Sequence, residues 1–147
     1  MKESLASNPT RFSHIIRVHF GDTDHAGIVY FPRIFHYCHI AFEEWFHTDL
    51  GYPFSQVVGE RSYGLPVVST KSVFQKPMRH GEHIRIELTI ERITTRSVTF
   101  GYRLIGVSDD VVRARVEIVH ASVNLQQFVS VPIPSDLVDL FCKPSKT

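Results

Sequence analysis

Two aspartates one residue apart are the clearest chemical feature of this sequence. They lie in FGDTDHAGIVYFP, Phe20 to Pro32, between a strand-like segment and a helix-like segment. Asp22 and Asp24 could hold a metal ion, act as carboxylates in catalysis, or cap a polar turn. A calcium loop that begins at Asp22 needs a glutamate at its twelfth position, which is Arg33 here, so we expect no metal.

The surroundings of this pair make acyl transfer a plausible alternative to a plain polar turn. A helix start presents unpaired N–H groups, and Gly27 lets the backbone approach a ligand closely. The apolar residues 28–31 are expected to desolvate a nearby carboxylate in part. A carboxylate can attack a carbonyl or activate water, while backbone amides stabilise the oxyanion. A thioester is a suitable substrate for these two groups, because its carbonyl is more electrophilic than that of an ester and thiolate leaves readily. The sequence contains no G-x-S-x-G motif, the signature of a serine nucleophile.

The elements that must position the pair are a buried helix and a sheet. Pro32 predicts the first helical residue and Gly51 the stop, and apolar residues cover most of the helix circumference between them. Residues 52–66 are predicted to form a connection with a short helical turn, and Ser135 is predicted to cap a last short helix.

Alternating apolar residues predict five strands, at 12–20, 67–77, 84–90, 98–104 and 111–125. Their order predicts an α+β fold with an antiparallel sheet wrapped around the helix. The alternation flips phase within 111–125, which predicts a bulge or two differently covered halves.

The length of 147 residues and the composition predict one domain, over 12–142, between tails at 1–11 and 143–147. A formal net charge of +1 argues against nucleic acid or an anionic membrane as partner. The N-terminus lacks the apolar core of a signal peptide, and Cys38 and Cys142 are too few for a disulfide framework. We therefore expect a cytoplasmic protein that crosses no membrane.

The segment RVHFGDTDHAGIVYFPRIF, Arg17 to Phe35, resembles the active-site signature of the 4-hydroxybenzoyl-CoA thioesterase family. That resemblance implies the hotdog fold, a five-stranded antiparallel sheet around a long central helix. It implies Asp24 as the catalytic nucleophile or general base, the Phe31 backbone N–H as oxyanion donor, and Gly27 as the turn glycine. Asp22 is expected to be structural. The family also implies a homodimer or homotetramer with active sites at the dimer interface, and no cofactor apart from the coenzyme A of the substrate.

Several residues in and after this signature are candidate substrate contacts. Tyr30 and His25 flank the catalytic turn, and His39 takes the helix position that faces the 4-hydroxyl in the 4-hydroxybenzoyl enzyme, where an aspartate is usual. This departure argues against 4-hydroxybenzoyl-CoA itself. The helix segment CHIAFEEWF, Cys38 to Phe46, resembles relatives that act on benzoyl-type or dihydroxynaphthoyl-type CoA esters. Only Arg96 of the segment RITTRS matches the family's basic cluster for the CoA phosphates, and Arg92, Lys76 and Arg79 are possible substitutes.

Three alternatives remain open from the sequence. The first is a thioesterase for short or medium aliphatic acyl-CoA. The second is a hotdog hydratase or dehydratase that uses His39 and Glu43, four residues apart on one helix face. The third is a non-catalytic acyl-CoA sensor, which would need a fused DNA-binding segment.

Overall fold

The computed structural model describes residues 8–49, 51 and 53–143. Helices and strands alternate little, because most strands follow one another directly. In chain order the elements are β1 (Phe12–Arg17), a 3-10 turn (Phe20–Asp22), α1 (Phe31–Thr48), α2 (Phe54–Arg61), β2 (Tyr63–Gly64), β3 (Val67–Phe74), β4 (His83–Ile93), β5 (Ser97–Gly106), β6 (Val112–Ala121), β7 (Val123–Asn124), β8 (Val129–Ser130) and α3 (Ser135–Cys142).

Five strands form one antiparallel sheet in the order β1-β4-β5-β6-β3. Alternate residues of β4, among them Ile84, Ile86 and Leu88, are fully buried on the face that packs against α1. The sheet is antiparallel because short connections join β4, β5 and β6 directly. This architecture confirms the predicted α+β hotdog fold.

Helix α1 forms the centre of the core. It begins at Phe31, with Tyr30 as N-cap and Pro32 in the first turn, and ends at Thr48, three residues before Gly51. Its buried residues lie on several sides of the helix: Ile34, Tyr37, Cys38, Ala41, Phe42, Trp45 and Phe46. A helix apolar around most of its circumference is covered on several sides, as the sequence predicts.

The interior beneath α1 is rich in aromatic rings. Phe42 meets Phe46, Phe54 and Phe100 edge to face at ring-centroid distances of 5.0 to 5.2 Å. The imidazole of His120 on β6 stacks on Phe42, with centroids 5.2 Å apart and planes 11° from parallel. Edge-to-face pairs of this kind add to the burial of apolar area, so the helix is held firmly against the sheet.

The structure differs from the sequence predictions at three element ends. The predicted strand 111–125 stops at Ala121, and β7 pairs instead with β2 and β8 in a separate three-stranded sheet. The phase flip therefore marks a change of sheet. Phe20 is 76% exposed in a 3-10 turn beyond β1. Ser135 is the first residue of α3, whose N-cap is Pro134, so the predicted serine cap is wrong.

Arg11, near the first described residues, contacts both the sheet and the last described residue. The Arg11 N–H donates to the Leu88 carbonyl at 2.7 Å, and the Arg11 guanidinium donates to the Lys143 carbonyl. Residues 1–7 and 144–147 of the predicted tails lie outside the described residues. No helix in the described part of the chain is long and apolar enough to cross a membrane.

Candidate active site

The acidic segment folds into a tight turn just before α1. The Asp24 N–H donates to the Ile28 carbonyl at 2.8 Å, and the Gly27 N–H donates to the Asp24 carbonyl at 2.9 Å. Gly27 has φ +81, a left-handed conformation in which a side chain would be strained. Thr23 pairs with Val29 in an isolated antiparallel bridge. These contacts fix the backbone of the turn and therefore the point from which the Asp24 side chain projects.

Asp24 keeps half of its carboxylate free. One oxygen, Oδ1, accepts a hydrogen bond from the Ala26 N–H at 2.8 Å, and Oδ2 has no partner among the described residues. The side chain is exposed in the single chain, contrary to the expected partial desolvation, because the turn projects away from the core. One oriented and one open oxygen suit a group that must attack carbon or take a proton from water.

Asp22 faces the other way and has partners on both oxygens. Its Oδ2 accepts hydrogen bonds from the Tyr37 hydroxyl at 2.6 Å and the His19 N–H at 3.2 Å, and Oδ1 lies 3.7 Å from Arg33 Nε. Partial burial raises the pKa of Asp22, but these partners outweigh it and hold the pKa below its usual value. No group of three or more His, Cys, Asp or Glu side chains within the described ranges is arranged to hold a metal ion.

The start of α1 leaves one amide free. The Tyr30 N–H donates to the Asp22 carbonyl at 2.8 Å and the Arg33 N–H to the Tyr30 carbonyl at 2.8 Å, while Pro32 has no N–H. The Phe31 N–H has no acceptor in the described part of the chain. This amide lies at the positive end of the helix dipole, which is the position of an oxyanion donor.

A cavity of about 270 Å³ opens beside this helix start. Its walls are mainly apolar and come from the loop after the turn, from α1, from the end of β3 and the segment that follows it, and from β6. They include Val29, Phe31, Ile34, Phe74, Met78 and Arg113. Its size is slightly below that of a typical ligand pocket, so it suits the acyl end of a larger substrate.

The structure brings some of the predicted substrate contacts to this place. Tyr30 is half exposed, with its ring against Phe31 at 5.6 Å. Lys76 lines the cavity and pairs with Asp109 at 2.9 Å. Ile28 forms an isolated bridge with Arg79, which is exposed, as is His25.

Arg96 and His39 lie elsewhere in the same chain. Arg96 is in the hairpin after β4, whereas Arg79 precedes β4, so roughly 30 Å of strand separates them. The Arg96 guanidinium donates to the Ser130 carbonyl at 2.9 Å. His39 is two turns along α1, where its Nε2 lies 3.0 Å from Glu43 Oε1, and neither side chain lines the cavity.

Sequence reasoning missed Tyr37 and Arg113. Tyr37 reads as an ordinary core aromatic, and only the fold shows its hydroxyl on Asp22. The alternation of β6 assigns Arg113 to the face opposite Val112 and Ala114, yet it is 3% exposed. The pairing of β6 with β5 shifts register beside it, and such a bulge has no signal in one sequence.

Known proteins share this fold and parts of this sequence. Residues 18–141 match the family described as the thioesterase-like superfamily. A 1,4-dihydroxy-2-naphthoyl-CoA hydrolase from Thermosynechococcus vestitus is 32% identical over 131 residues, which cover 88% of either chain. Another from Prochlorococcus marinus is 30% identical over 128 residues, covering 81% of this chain and 82% of that protein.

Two solved structures are similar in shape. A gentisyl-coenzyme A thioesterase superposes with a TM-score of 0.76 at 28% identity, covering 86% of this chain and 98% of its own. A 1,4-dihydroxy-2-naphthoyl-CoA thioesterase from Synechocystis superposes with a TM-score of 0.83, covering 90% of this chain and 96% of its own. At 24% identity, the second match supports the shared fold alone.

Proposed function

The chain belongs to the thioesterase-like superfamily, and we propose that it hydrolyses the thioester bond of an aromatic acyl-CoA. It is a thioester hydrolase, since its curated relatives are CoA hydrolases and match it over most of its length. The named relatives act on dihydroxynaphthoyl and gentisyl groups, which are oxygenated aromatic acids. A benzoyl-type, hydroxybenzoyl-type or dihydroxynaphthoyl-type acyl group is therefore the proposed substrate.

The observation that carries the mechanism is the free Phe31 amide at the start of α1, in the same short segment as a carboxylate with one open oxygen, Asp24. In this mechanism the thioester carbonyl oxygen accepts a hydrogen bond from the Phe31 N–H, which stabilises the negative charge of the tetrahedral intermediate. Asp24 Oδ2 attacks the carbonyl carbon to form an anhydride that water then hydrolyses, or it takes a proton from the attacking water. Either route breaks the carbon–sulfur bond and yields a carboxylic acid and coenzyme A. These two groups supply the chemistry without a cofactor.

Within the superfamily we assign the chain to the 4-hydroxybenzoyl-CoA thioesterase family, on the signature from Arg17 to Phe35. His39 in place of the aspartate expected for 4-hydroxybenzoyl-CoA favours another aromatic acyl group. The short or medium aliphatic acyl-CoA remains the alternative substrate. The hydratase hypothesis gains the 3.0 Å contact between His39 and Glu43, but this pair lies more than two turns along α1 from the free Phe31 amide.

The proposed assembly is a homodimer, or a tetramer of dimers, with each site completed by the partner copy. Support comes from β3, an edge strand of eight residues that is exposed along its whole length. Lys76 and Arg79 lie near the catalytic turn of one chain, and Arg96 is too distant within that chain to join them. Arg96 from the partner copy is the proposed further contact for the CoA phosphates. A cytoplasmic location is part of the same proposal, in keeping with the free thiols of Cys38 and Cys142.

Two variants test this mechanism by release of free thiol from benzoyl-, hydroxybenzoyl-, dihydroxynaphthoyl- and aliphatic acyl-CoAs. Asp24→Asn is expected to lower kcat by about 10²–10⁴-fold. Phe31→Pro removes the amide proton and is expected to lower kcat by about 10²–10³-fold. Proline fits the first helical position, and the Tyr30 ψ of 126 suits a residue before proline, so the fold should persist.

The matched controls are Asp139→Asn, at an exposed aspartate of α3, and Phe31→Leu, which keeps the amide. Asp139→Asn is expected to stay within about threefold of wild type, since surface substitutions change little. Phe31→Leu changes the cavity wall but keeps the N–H, so the loss of kcat in Phe31→Pro beyond that in Phe31→Leu measures the contribution of the amide. Undiminished turnover by folded Asp24→Asn would exclude this carboxylate as the catalytic group. A wild type that hydrolyses only aliphatic acyl-CoAs would overturn the aromatic substrate class.

A further inference from the structure

Among the described residues, Phe20 is the most exposed large hydrophobic residue. It is 76% exposed, and its ring meets the imidazole of His80 edge to face, with centroids 5.8 Å apart. A single apolar side chain on a surface needs no explanation, but this one forms a pair with a ring from another segment of the chain. Phe20 also begins the 3-10 turn that ends at Asp22. The two rings therefore form an aromatic surface beside the catalytic turn.

Hydrogen bonds fix the backbone that carries these rings. The Phe20 carbonyl accepts hydrogen bonds from the Thr23 N–H at 3.1 Å and from the Thr23 hydroxyl at 2.7 Å. The Gly81 N–H donates to the Val18 carbonyl at 2.9 Å, which joins the segment of His80 to the segment of Phe20. Phe20 itself lies outside the hydrophobic core. Its ring is thus held at a defined place and left open to a ligand.

Arg79 connects this aromatic surface to the cavity beside the start of α1. It lies between Met78, which lines the cavity, and His80, and its backbone forms a bridge with Ile28, another cavity residue. The Arg79 N–H donates to Glu82 Oε2 at 2.6 Å, but the exposed guanidinium has no partner among the described residues. A cation that is free to bind an anion is therefore adjacent in the chain to both the cavity wall and the aromatic pair.

We propose that the adenine of the substrate's coenzyme A stacks on Phe20 beside His80, and that Arg79 pairs with one of its phosphates. This inference rests on the proposed function, which places the thioester at the Phe31 amide and the acyl group in the cavity. The coenzyme A arm then leaves the cavity along residues 78–80. Every base has a π face that stacks on an aromatic side chain, and the planar guanidinium matches the geometry of a phosphate.

The test compares an acyl-CoA with the same acyl group on pantetheine, which carries neither adenine nor phosphate. The acyl group is the one that wild type hydrolyses fastest in the thiol-release assay. Phe20→Ala is expected to raise KM for the acyl-CoA by about 5–100-fold, the effect of losing one base–aromatic stack. Its kcat, and both constants for the acyl-pantetheine, should stay within about twofold of wild type. Phe20→Trp keeps an aromatic face and should restore the wild-type KM.

The matched control is Phe128→Ala, which makes the same change at a phenylalanine that is 68% exposed between β7 and β8. This control should leave KM for both esters as in wild type. Arg79→Gln removes the cation and should raise KM for the acyl-CoA alone, by about two- to fivefold, as for an exposed ion pair. A loss of kcat for both esters in Phe20→Ala would instead show that Phe20 only supports the catalytic turn, and would overturn the adenine site.

Binding of adenosine 3′,5′-bisphosphate, measured by calorimetry, gives a readout that needs no turnover. Wild type and Phe128→Ala should bind it alike, and Phe20→Ala should bind it about 5–100-fold more weakly. Equal binding by wild type and folded Phe20→Ala, or no binding by wild type, would overturn the adenine site while thioester hydrolysis stands. A lower oligomer mass of Phe20→Ala in light scattering, with unchanged KM, would assign the aromatic surface to a contact between copies instead. Binding that depends on Phe20 in a protein that hydrolyses no acyl-CoA would support the adenine site and overturn the proposed function.

Discussion

At the scale of single residues, Asp22 and Asp24 show how partners divide two identical side chains. Asp22 accepts hydrogen bonds from Tyr37 and His19 and lies near Arg33, so both of its carboxylate oxygens already have partners within the fold. Asp24 is held by one amide and leaves one oxygen open. The carbonyl of Asp22 also accepts the Tyr30 N–H, which removes a competing donor from the helix start. The pair thus separates into a positioning residue and a proposed reactive one.

Replacing Tyr37 by phenylalanine tests the positioning role of Asp22. Loss of the 2.6 Å hydrogen bond to a carboxylate that is 14% exposed should cost about 1–2 kcal/mol of unfolding free energy near neutral pH. The pKa of Asp22 is lowered in the folded state, so this stabilisation is present above the usual value of 3.8 and is lost as pH falls below it. The difference between wild type and Tyr37→Phe should therefore narrow from about pH 5 to about pH 3 in urea titrations.

Tyr102→Phe is the control for this experiment. Tyr102 is 3% exposed as a residue, and its hydroxyl keeps some contact with solvent and has no hydrogen-bond partner in the part of the chain that the structure describes. The same chemical change there should leave the slope of stability against pH unchanged. A Tyr37→Phe variant as stable as wild type at neutral pH would show that the bond to Asp22 contributes nothing.

At the scale of elements, hydrophobic periodicity predicted the parts of the fold that bury one regular face. Helix α1 and strands β4 and β5 appear within a few residues of their predicted places because their apolar residues repeat without interruption. The predictions fail where tertiary contacts decide. Ser122 lies between strands of two different sheets, and the bulge beside Arg113 accompanies the burial of a charged side chain. Neither feature changes the pattern of residue types around it, so the sequence does not reveal it.

The candidate site also has a part that the local sequence predicts and a part that only tertiary contacts create. Its turn, its glycine and its helix start are consecutive in sequence, so the segment from Asp22 to Pro32 was identifiable from residue types. The cavity wall comes from β3 and β6, which only the folded sheet brings beside α1. Long-range walls of this kind have no pattern in one sequence.

His120 joins two elements, and its titration provides a test of the contact between β6 and α1. The Nδ1–H donates to the Leu65 carbonyl at 2.7 Å while the ring stacks on Phe42. Burial lowers the pKa of His120, although the hydrogen bond to Leu65 opposes it and the nearby His39 adds to the lowering. The unfolded state therefore binds this proton more readily, and stability is lost as pH falls below the usual value of 6.5.

Urea titrations at several pH values below 7 measure this effect. One proton contributes at most about 1.4 kcal/mol of unfolding free energy per pH unit. His120→Asn should reduce the slope, because asparagine can donate to Leu65 without titrating. His47→Asn, at an exposed position in the last turn of α1, should leave the slope as in wild type. An identical slope in His120→Asn and wild type would contradict a buried neutral imidazole.

At the scale of the whole molecule, one edge of the five-stranded sheet exposes apolar side chains. Strand β3 is the edge of the five-stranded sheet, and Val67, Val68, Val73 and Phe74 on it are 49% to 61% exposed. Phe74 contacts the ring of Phe31, with centroids 6.3 Å apart, so the exposed apolar surface continues from the strand to the proposed oxyanion donor. A long apolar edge strand is a template for pairing, and a second copy offers the same edge. In the proposed assembly, pairing at β3 would cover the side of the cavity that Phe74 lines.

This surface leads to a prediction about assembly and activity together. Val68→Glu with Val73→Glu places like charges on both copies of the edge and should convert the oligomer to a monomer in light scattering. Val73 lies opposite Arg115 in β6, so a glutamate there meets an opposite charge within its own chain and the fold should be retained. Because the proposed site needs the partner copy, kcat/KM should fall by about 10²-fold or more.

The matched control is Val107→Glu with Val129→Glu, which makes the same change at two exposed valines outside β3. This variant should keep the wild-type mass and activity. A monomeric β3 variant with full activity would mean that one chain contains the whole site, since dissociation would then remove nothing that catalysis needs. An oligomer that survives both glutamates would instead place the contact between copies away from β3, and the closure of the cavity by a second copy would have to be abandoned.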